Sequence, residues 1–205
     1  MYFTLKSKDI ENNKKFISSY TFEQKKSKFI SYIFSIANAN EANKCIEIIK
    51  KENKDARHVV YIYSFLADNN IPQINFSDDG EPQGTGTKAI YELLTKEHIT
   101  NLCIVIVRYF GGVLLGAGPL ARAYLNSTRG AIDLCKKDKI LNYIEKTINI
   151  EYSKYNLLKN DLKEFIAKKY VIIEKTEFNE TILLELKIEE SSINRVEETI
   201  YKYIY

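Results

Sequence analysis

The stretch LCIVIVRYF, Leu102 to Phe110, is an unbroken apolar run rich in β-branched residues that ends in an arginine and two aromatics. It falls far short of the ~20 residues that span a bilayer, and its composition favours a strand. HVVYIYSFLA, His58 to Ala67, is almost as continuous. A strand that is apolar on both faces must be covered on both faces, so a chain with two of them folds in layers, with helices laid on a sheet.

Residues at helical spacing supply those covers. In NEANKCIEIIKKEN, Ala42, Cys45, Ile46 and Ile49 share one face, with Asn40 as the expected cap. TKAIYELLTKEH turns Ile90, Leu93 and Leu94 inward, and Pro119 opens PLARAYLNSTRGAIDLC at the first-turn position that proline favours. Phe16 to Phe22 and Phe29 to Ile36 read as strands of a hairpin around the charged EQKKSK. Asp68 through Gly86, broken by Pro72, Gly80, Pro82 and Gly84, reads as one loop. From Lys136 the pattern restarts as strand, helix, two strands and helix, an open ferredoxin-like order without its last strand. The expected fold class is therefore α+β in two domains, residues 1–138 and 139–205.

Composition narrows the function. With 45% hydrophobic residues the chain can build a core, and a net charge of +3 is too small to mark a nucleic-acid binder by itself. The basic excess lies in the first domain, clustered at Lys14 and Lys15, at Lys25, Lys26 and Lys28, and at Lys50, Lys51, Lys54 and Arg57. Cys45, Cys103 and Cys135 are too widely spaced for a disulfide framework or a zinc site, and the first residues lack an apolar signal core. A reducing compartment, the cytoplasm, is the expectation, with no membrane partner.

Chemistry concentrates in two glycine-bearing segments. FSDDGEPQGTGTK brings Asp78, Asp79 and Glu81 beside Gly80, Gly84 and Gly86 ahead of a helix. Three uses fit: turning the chain, touching a bound partner, or offering oxygens to a hydrated cation. GAGPLA, Gly116 to Ala121, loosely matches a dinucleotide fingerprint but stands too far from its strand, and Gly-Lys-Ser/Thr occurs nowhere. What remains is glycines ahead of a helix N-terminus, where backbone N–H groups and the dipole favour anions. Arg108 and Arg122 flank that loop and suit phosphate, or else pair with Asp78, Asp79 or Glu81 to join the two loops. His58 and His98 form no metal motif, and no nucleophile has a base beside it. Tyr61, Tyr63, Tyr91, Tyr109 and Tyr124 serve either as core residues or as platforms for unpaired bases.

KSKFI (Lys26 to Ile30), ARHVVYIY (Ala56 to Tyr63), SDDGEPQGTGTKAI (Ser77 to Ile90) and RYFGGVLLGAGPLARAY (Arg108 to Tyr124) together resemble, in order, the signature segments of the YigZ/IMPACT family. The resemblance implies a first domain like the second domain of a small-subunit ribosomal protein and part of elongation factor G, and a ferredoxin-like second domain. It implies regulation of translation through RNA, the ribosome or a translation factor, with neither DNA specificity nor an established reaction. The chain departs from the family pattern at Val60, where a Cys is usual, and at Pro119 and Ala121, which replace Gly and Val.

The expected site is a cleft between the two loops, built from His58, Asp78, Asp79, Gly80, Glu81, Gly84, Lys88, Arg108, Tyr109, Gly111, Gly112, Gly116, Gly118 and Arg122. No catalytic residue, metal or cofactor is assigned. The competing expectation is a site for a small phosphorylated ligand or nucleotide, bound or turned over.

Overall fold

The computed structural model describes residues 2–8, 16–67 and 70–204, so the basic pair Lys14 and Lys15 lies outside the described residues. The chain forms two compact units, residues 1–140 and 141–205. No helix among the described residues is long and apolar enough to cross a membrane.

The first unit is built on a five-stranded sheet with order β2-β3-β6-β4-β5. The strands are β2 (Ser18–Gln24), β3 (Ser27–Ser35), β4 (His58–Leu66), β5 (Pro72–Ser77) and β6 (Leu102–Tyr109), and every neighbouring pair is antiparallel. β6 is central because its apolar run needs cover on both sides. Leu102, Ile104 and Ile106 pack with Val60 and Ile62 under α2 (Lys88–Lys96) and α3 (Ala117–Asp133). Cys103, Val105 and Val107 pack with Val59 and Tyr63 under α1 (Ala39–Glu52). The alternation is the period of two that any strand imposes, and each of these fully buried aliphatic side chains contributes about 1.5–3 kcal/mol. Alternation also decides the ends: His58 and Arg108 pair across β4 and β6 and share the parity of the side that faces α2 and α3.

Three local expectations change. Asn38, not Asn40, caps α1: its Oδ1 accepts from the Glu41 N–H at 3.0 Å, and Glu41 Oε2 accepts from the Ala37 N–H at 2.8 Å. The pair resembles a capping box, except that Glu41 reaches one residue further back, to the N–H before the cap. The expected loop contains β5, whose polar Gln73 and Asn75 and leading Pro72 conceal it in the sequence. Finally, β1 (Phe3–Ser7) pairs antiparallel with β7 (Cys135–Lys139) in a separate ribbon. Cys135 therefore sits in a strand, its Sγ–H reaching Ser18 Oγ at 3.2 Å, and not on a helix face.

The β2–β3 hairpin turns on Lys25 and Lys26, with φ of 45° and 63°. Both central residues of a tight hairpin turn of this hand require positive φ, a conformation usually given to Asn and Gly. The backbone of that turn meets Gly111, where an added Cβ would stand 2.1 Å from the Lys26 carbonyl carbon.

The second unit holds β8 (Tyr143–Ile150), α4 (Tyr152–Asp161), α5 (Lys163–Ala167), β9 (Val171–Phe178), β10 (Ile182–Glu189) and α6 (Ile193–Ile204). Its antiparallel sheet has order β8-β10-β9. Ile148, Ile150, Leu184, Leu186 and Ile188 form its core with Leu158, Val196 and Ile200. The single helix expected after the first strand of this unit is divided at Leu162 into α4 and α5.

Candidate functional site

The segment after β5 is folded by its own carboxylates. Asp78 Oδ2 accepts from the Gly84 N–H at 2.6 Å, and its Oδ1 accepts from the Gly86 N–H at 3.0 Å and from the Thr87 hydroxyl at 2.9 Å. Asp79, at φ 47°, turns the chain. Its Oδ2 accepts from the Val59 N–H at 2.6 Å and its carbonyl from His58 Nδ1–H at 2.7 Å. Gly86 is required because a Cβ there would meet Val60 Cγ1 at 2.8 Å and Asp78 Oδ1 at 2.9 Å.

With the loop held this way, Glu81 is carried inward until its side chain is only 3% exposed. Glu81 Oε1 accepts from Arg108 Nη1 at 2.6 Å and from the Tyr124 hydroxyl at 2.7 Å. Its Oε2 stands 3.8 Å from His58 Nε2. One carboxylate thus ties the end of β6, the middle of α3 and the start of β4 to the β5–α2 loop. Arg108 is also buried, between the rings of Phe29 at 5.5 Å and Phe110 at 5.7 Å, and its Nε has no acceptor among the described residues. Such a pair is costly to desolvate and holds only while both partners are present.

Burial, and then the hydrogen bond to Glu81, push the Tyr124 hydroxyl well above its ordinary pKa of 10.0. In the unfolded chain it ionises at that ordinary value. This stabilisation is therefore complete below about pH 10 and is lost as the pH rises further. The urea midpoint is expected to fall above about pH 10, and Tyr124→Phe to reduce the slope. Tyr32, Tyr61 and Tyr109, and the thiols of Cys45, Cys103 and Cys135 from their lower ordinary value of 9.0, are also raised by burial and leave a residual slope that begins nearer pH 9. An unchanged slope in the variant would exclude Tyr124 as its source.

Against this scaffold lies a cleft of about 400 Å³ whose lining includes Arg57, His58, Glu81, Arg108, Phe110, Gly116 and Ala117. Its far wall is the start of α3. Gly116 caps that helix at φ 78° without a side-chain hydrogen bond, and the first turn has no acidic residue. The N–H groups at the helix start therefore have no anionic partner from their own turn, and the dipole leaves partial positive charge there. Arg57 and Arg108 oppose one carboxylate, Glu81, so the lining is net positive.

The expected site residues do not all gather here. His58, Glu81, Arg108 and Gly116 line the cleft, and Asp79 and Gly80 lie behind His58. Gly111 and Gly112 belong to the segment between Phe110 and Gly116. Asp78, Gly84 and Lys88 line a separate groove. Tyr109 points to the α1 side, where its hydroxyl donates to Asn53 Oδ1 at 2.8 Å. Gly118 and Arg122 occupy the start of α3 beside one another but are absent from the cleft lining. Sequence reasoning did not single out Phe110 or the apolar Leu114, Leu115 and Leu120 for the cleft, and placed Arg57 only in a basic cluster. Phe110 had a signal, because an aromatic next but one to a buried arginine can stack on it.

The Impact N-terminal domain family matches residues 25–132, a span that includes every residue of the cleft lining. The chain is 32% identical over 174 residues to the "IMPACT family member YvyE" of Bacillus subtilis, covering 84% of this chain and 77% of that protein. It is 34% identical over 130 residues to the "IMPACT family member YigZ" of Escherichia coli, covering 63% of this chain and 64% of that protein. A solved structure described as the crystal structure of an hypothetical protein superimposes with a TM-score of 0.61 at 25% identity, over 98% of this chain and 93% of the other.

Proposed function

Because this chain belongs to the IMPACT family, we propose that it is a non-catalytic translation-associated protein that binds RNA phosphate, free or on the ribosome, in the cleft at the start of α3. The observation that carries this reading is the N-terminus of α3, which has no side-chain cap bond, facing Arg57 and Arg108 across a cleft with a single carboxylate. Phosphodiesters suit such a surface, since guanidinium and backbone N–H donors both reach their oxygens. Phe110, 45% exposed at the edge, offers a face for an unpaired base. The strand orders of the two units support the finer fold expectation, an elongation-factor-like first domain and a ferredoxin-like second domain lacking its outer strand.

Arg108 is a poor probe of binding because it also holds Glu81. Arg57, exposed and adjacent, is a better one. Anisotropy of a labelled single-stranded RNA, with ribosome co-sedimentation, is expected to show affinity falling log-linearly with salt. Arg57→Ala should reduce the slope by about 0.7 for one lost phosphate contact. Absence of binding to both targets at low salt, or a slope unchanged in the variant, would sink the reading. The cleft volume also suits a small phosphorylated ligand. A melting shift with a nucleotide, without RNA or ribosome binding, would favour that second reading.

A further inference from the structure

The groove that takes Asp78, Gly84 and Lys88 away from the cleft has a chemistry of its own. It measures about 780 Å³ and lies between β5 and the start of α2, lined by Pro72, Ile74, Phe76, Lys88 and Tyr91 with the loop residues between them. Its apolar side chains are unusually open: Phe76 is 52% exposed, Tyr91 40% and Ile74 37%.

β5 is also an edge strand, and the hydrogen-bonding parity shows which residues face outward. Odd-numbered backbone N–H groups of β4 point to the β5 side: Val59 donates to Asp79 just beyond β5, and Ala67 donates to the Ile71 carbonyl just before it. The even-numbered Leu66 points the other way and donates to Asn101 Oδ1 beside β6. The β5 residues opposite even positions are Pro72, Ile74 and Phe76. Alternation of the antiparallel ladder therefore turns the N–H and C=O groups of Ile74 and Phe76 to the open edge, with Pro72 at the one outward position that lacks an N–H. Among the described residues nothing pairs with that edge. The same two residues thus present both free backbone groups and the apolar wall of the groove.

Edge strands are commonly protected by charge. β5, reading PQINFS, carries none. The charges bordering its groove are Asp78, whose carboxylate is occupied by Gly84, Gly86 and Thr87, and Lys88, which has no ion-pair partner among the described residues. We infer that this groove binds an extended segment of a partner protein, which adds a strand to β5. Its apolar residues at alternate positions lie on Ile74, Phe76 and Tyr91, and a carboxylate lies beside Lys88. Strand addition of this kind draws affinity from main-chain bonds and specificity from alternate side chains. A second copy of β5 fits less well, because the acidic residues that follow it, Asp78 and Asp79, are already held by donors of their own chain.

The test is selection of displayed random dodecapeptides on the full chain, followed by anisotropy with synthetic copies of those enriched. Enriched peptides should alternate apolar residues and carry an acidic group. Phe76→Lys and Lys88→Glu should each weaken binding at least tenfold with melting temperature unchanged, and N-methylation of the peptide's edge-facing amides should abolish binding. Arg57→Ala should leave it unaffected, which separates this site from the RNA cleft. No enrichment, or equal binding to Phe76→Lys, would overturn the inference. So would a dimer that Phe76→Lys dissolves and no peptide displaces, which would make the occupant a second copy.

Discussion

Glu81→Gln is expected to destabilise the first unit by about 3 kcal/mol, a fall of about 10 °C in melting temperature. The substitution keeps the shape and leaves an oxygen that still accepts from Arg108 and Tyr124, so cavity formation is not the cause. It removes the countercharge from a guanidinium that is 5% exposed and already has one unpartnered donor. Breaking one side of a buried pair costs more than the intact pair contributes, because an uncompensated charge remains. It follows that adding Arg108→Met to Glu81→Gln should restore at least half of the loss, although the double variant has lost more polar contacts. Thermal unfolding of the two single variants and the double variant measures this coupling. A Glu81→Gln protein as stable as the parent would show that the pair is not needed to hold the loop to β6 and α3.

Gly111→Ala is the second large effect, expected to cost about 3 kcal/mol or more, at the upper end of overpacking. The new Cβ would stand 2.1 Å from the Lys26 carbonyl carbon, 2.3 Å from the Ser27 nitrogen and 2.4 Å from the Lys26 oxygen. All three are backbone atoms of a hairpin already turned through two positive-φ lysines, so no side chain can swing aside. The move would also break the hydrogen bond from the Gly111 N–H to Ser27 Oγ at 3.1 Å. Gly112→Ala is the control. Nothing lies within 4 Å of its added Cβ, but its φ is 83°, so the cost is conformational and about 1–2 kcal/mol. Urea unfolding of both variants should rank Gly111→Ala as clearly the worse, and the reverse order would exclude the close approach to the hairpin as the dominant constraint.

These adjacent glycines show how far the chain is legible before it is folded. In RYFGGVLLGAG they are identical letters. One is needed for what approaches it from the hairpin, some eighty positions earlier in the chain, and the other for its own dihedral angle. The same distinction separates the elements that local sequence specifies from those that it does not. β3, β4 and β6 and helices α1 to α3 follow from composition and spacing within a few residues of their observed bounds, since a strand buried on both faces or a helix buried on one has to be apolar locally. β5, β1 and β7 carry little apolar signal, and exist because a partner strand satisfies their backbone groups. Asn40 was preferred over Asn38 because both can cap a helix. The bond from the Glu41 N–H to Asn38 Oδ1, with Glu41 reaching back to the Ala37 N–H, separates them.

The sequence by itself determined the layered core, the two glycine-bearing segments, and through its ordered motifs the family. The tertiary structure decided which of three neighbouring carboxylates Arg108 takes, that Tyr124 shares it, and that Lys88 faces a different concavity from Arg57. The reason is geometric. Asp78, Asp79 and Glu81 are almost interchangeable as chemistry, but the positive φ at Asp79 and Gly80 sends each toward a different set of donors. Those donors come from β4, β6, α2 and α3, whose meeting is set by long-range packing and not by any local run of residues.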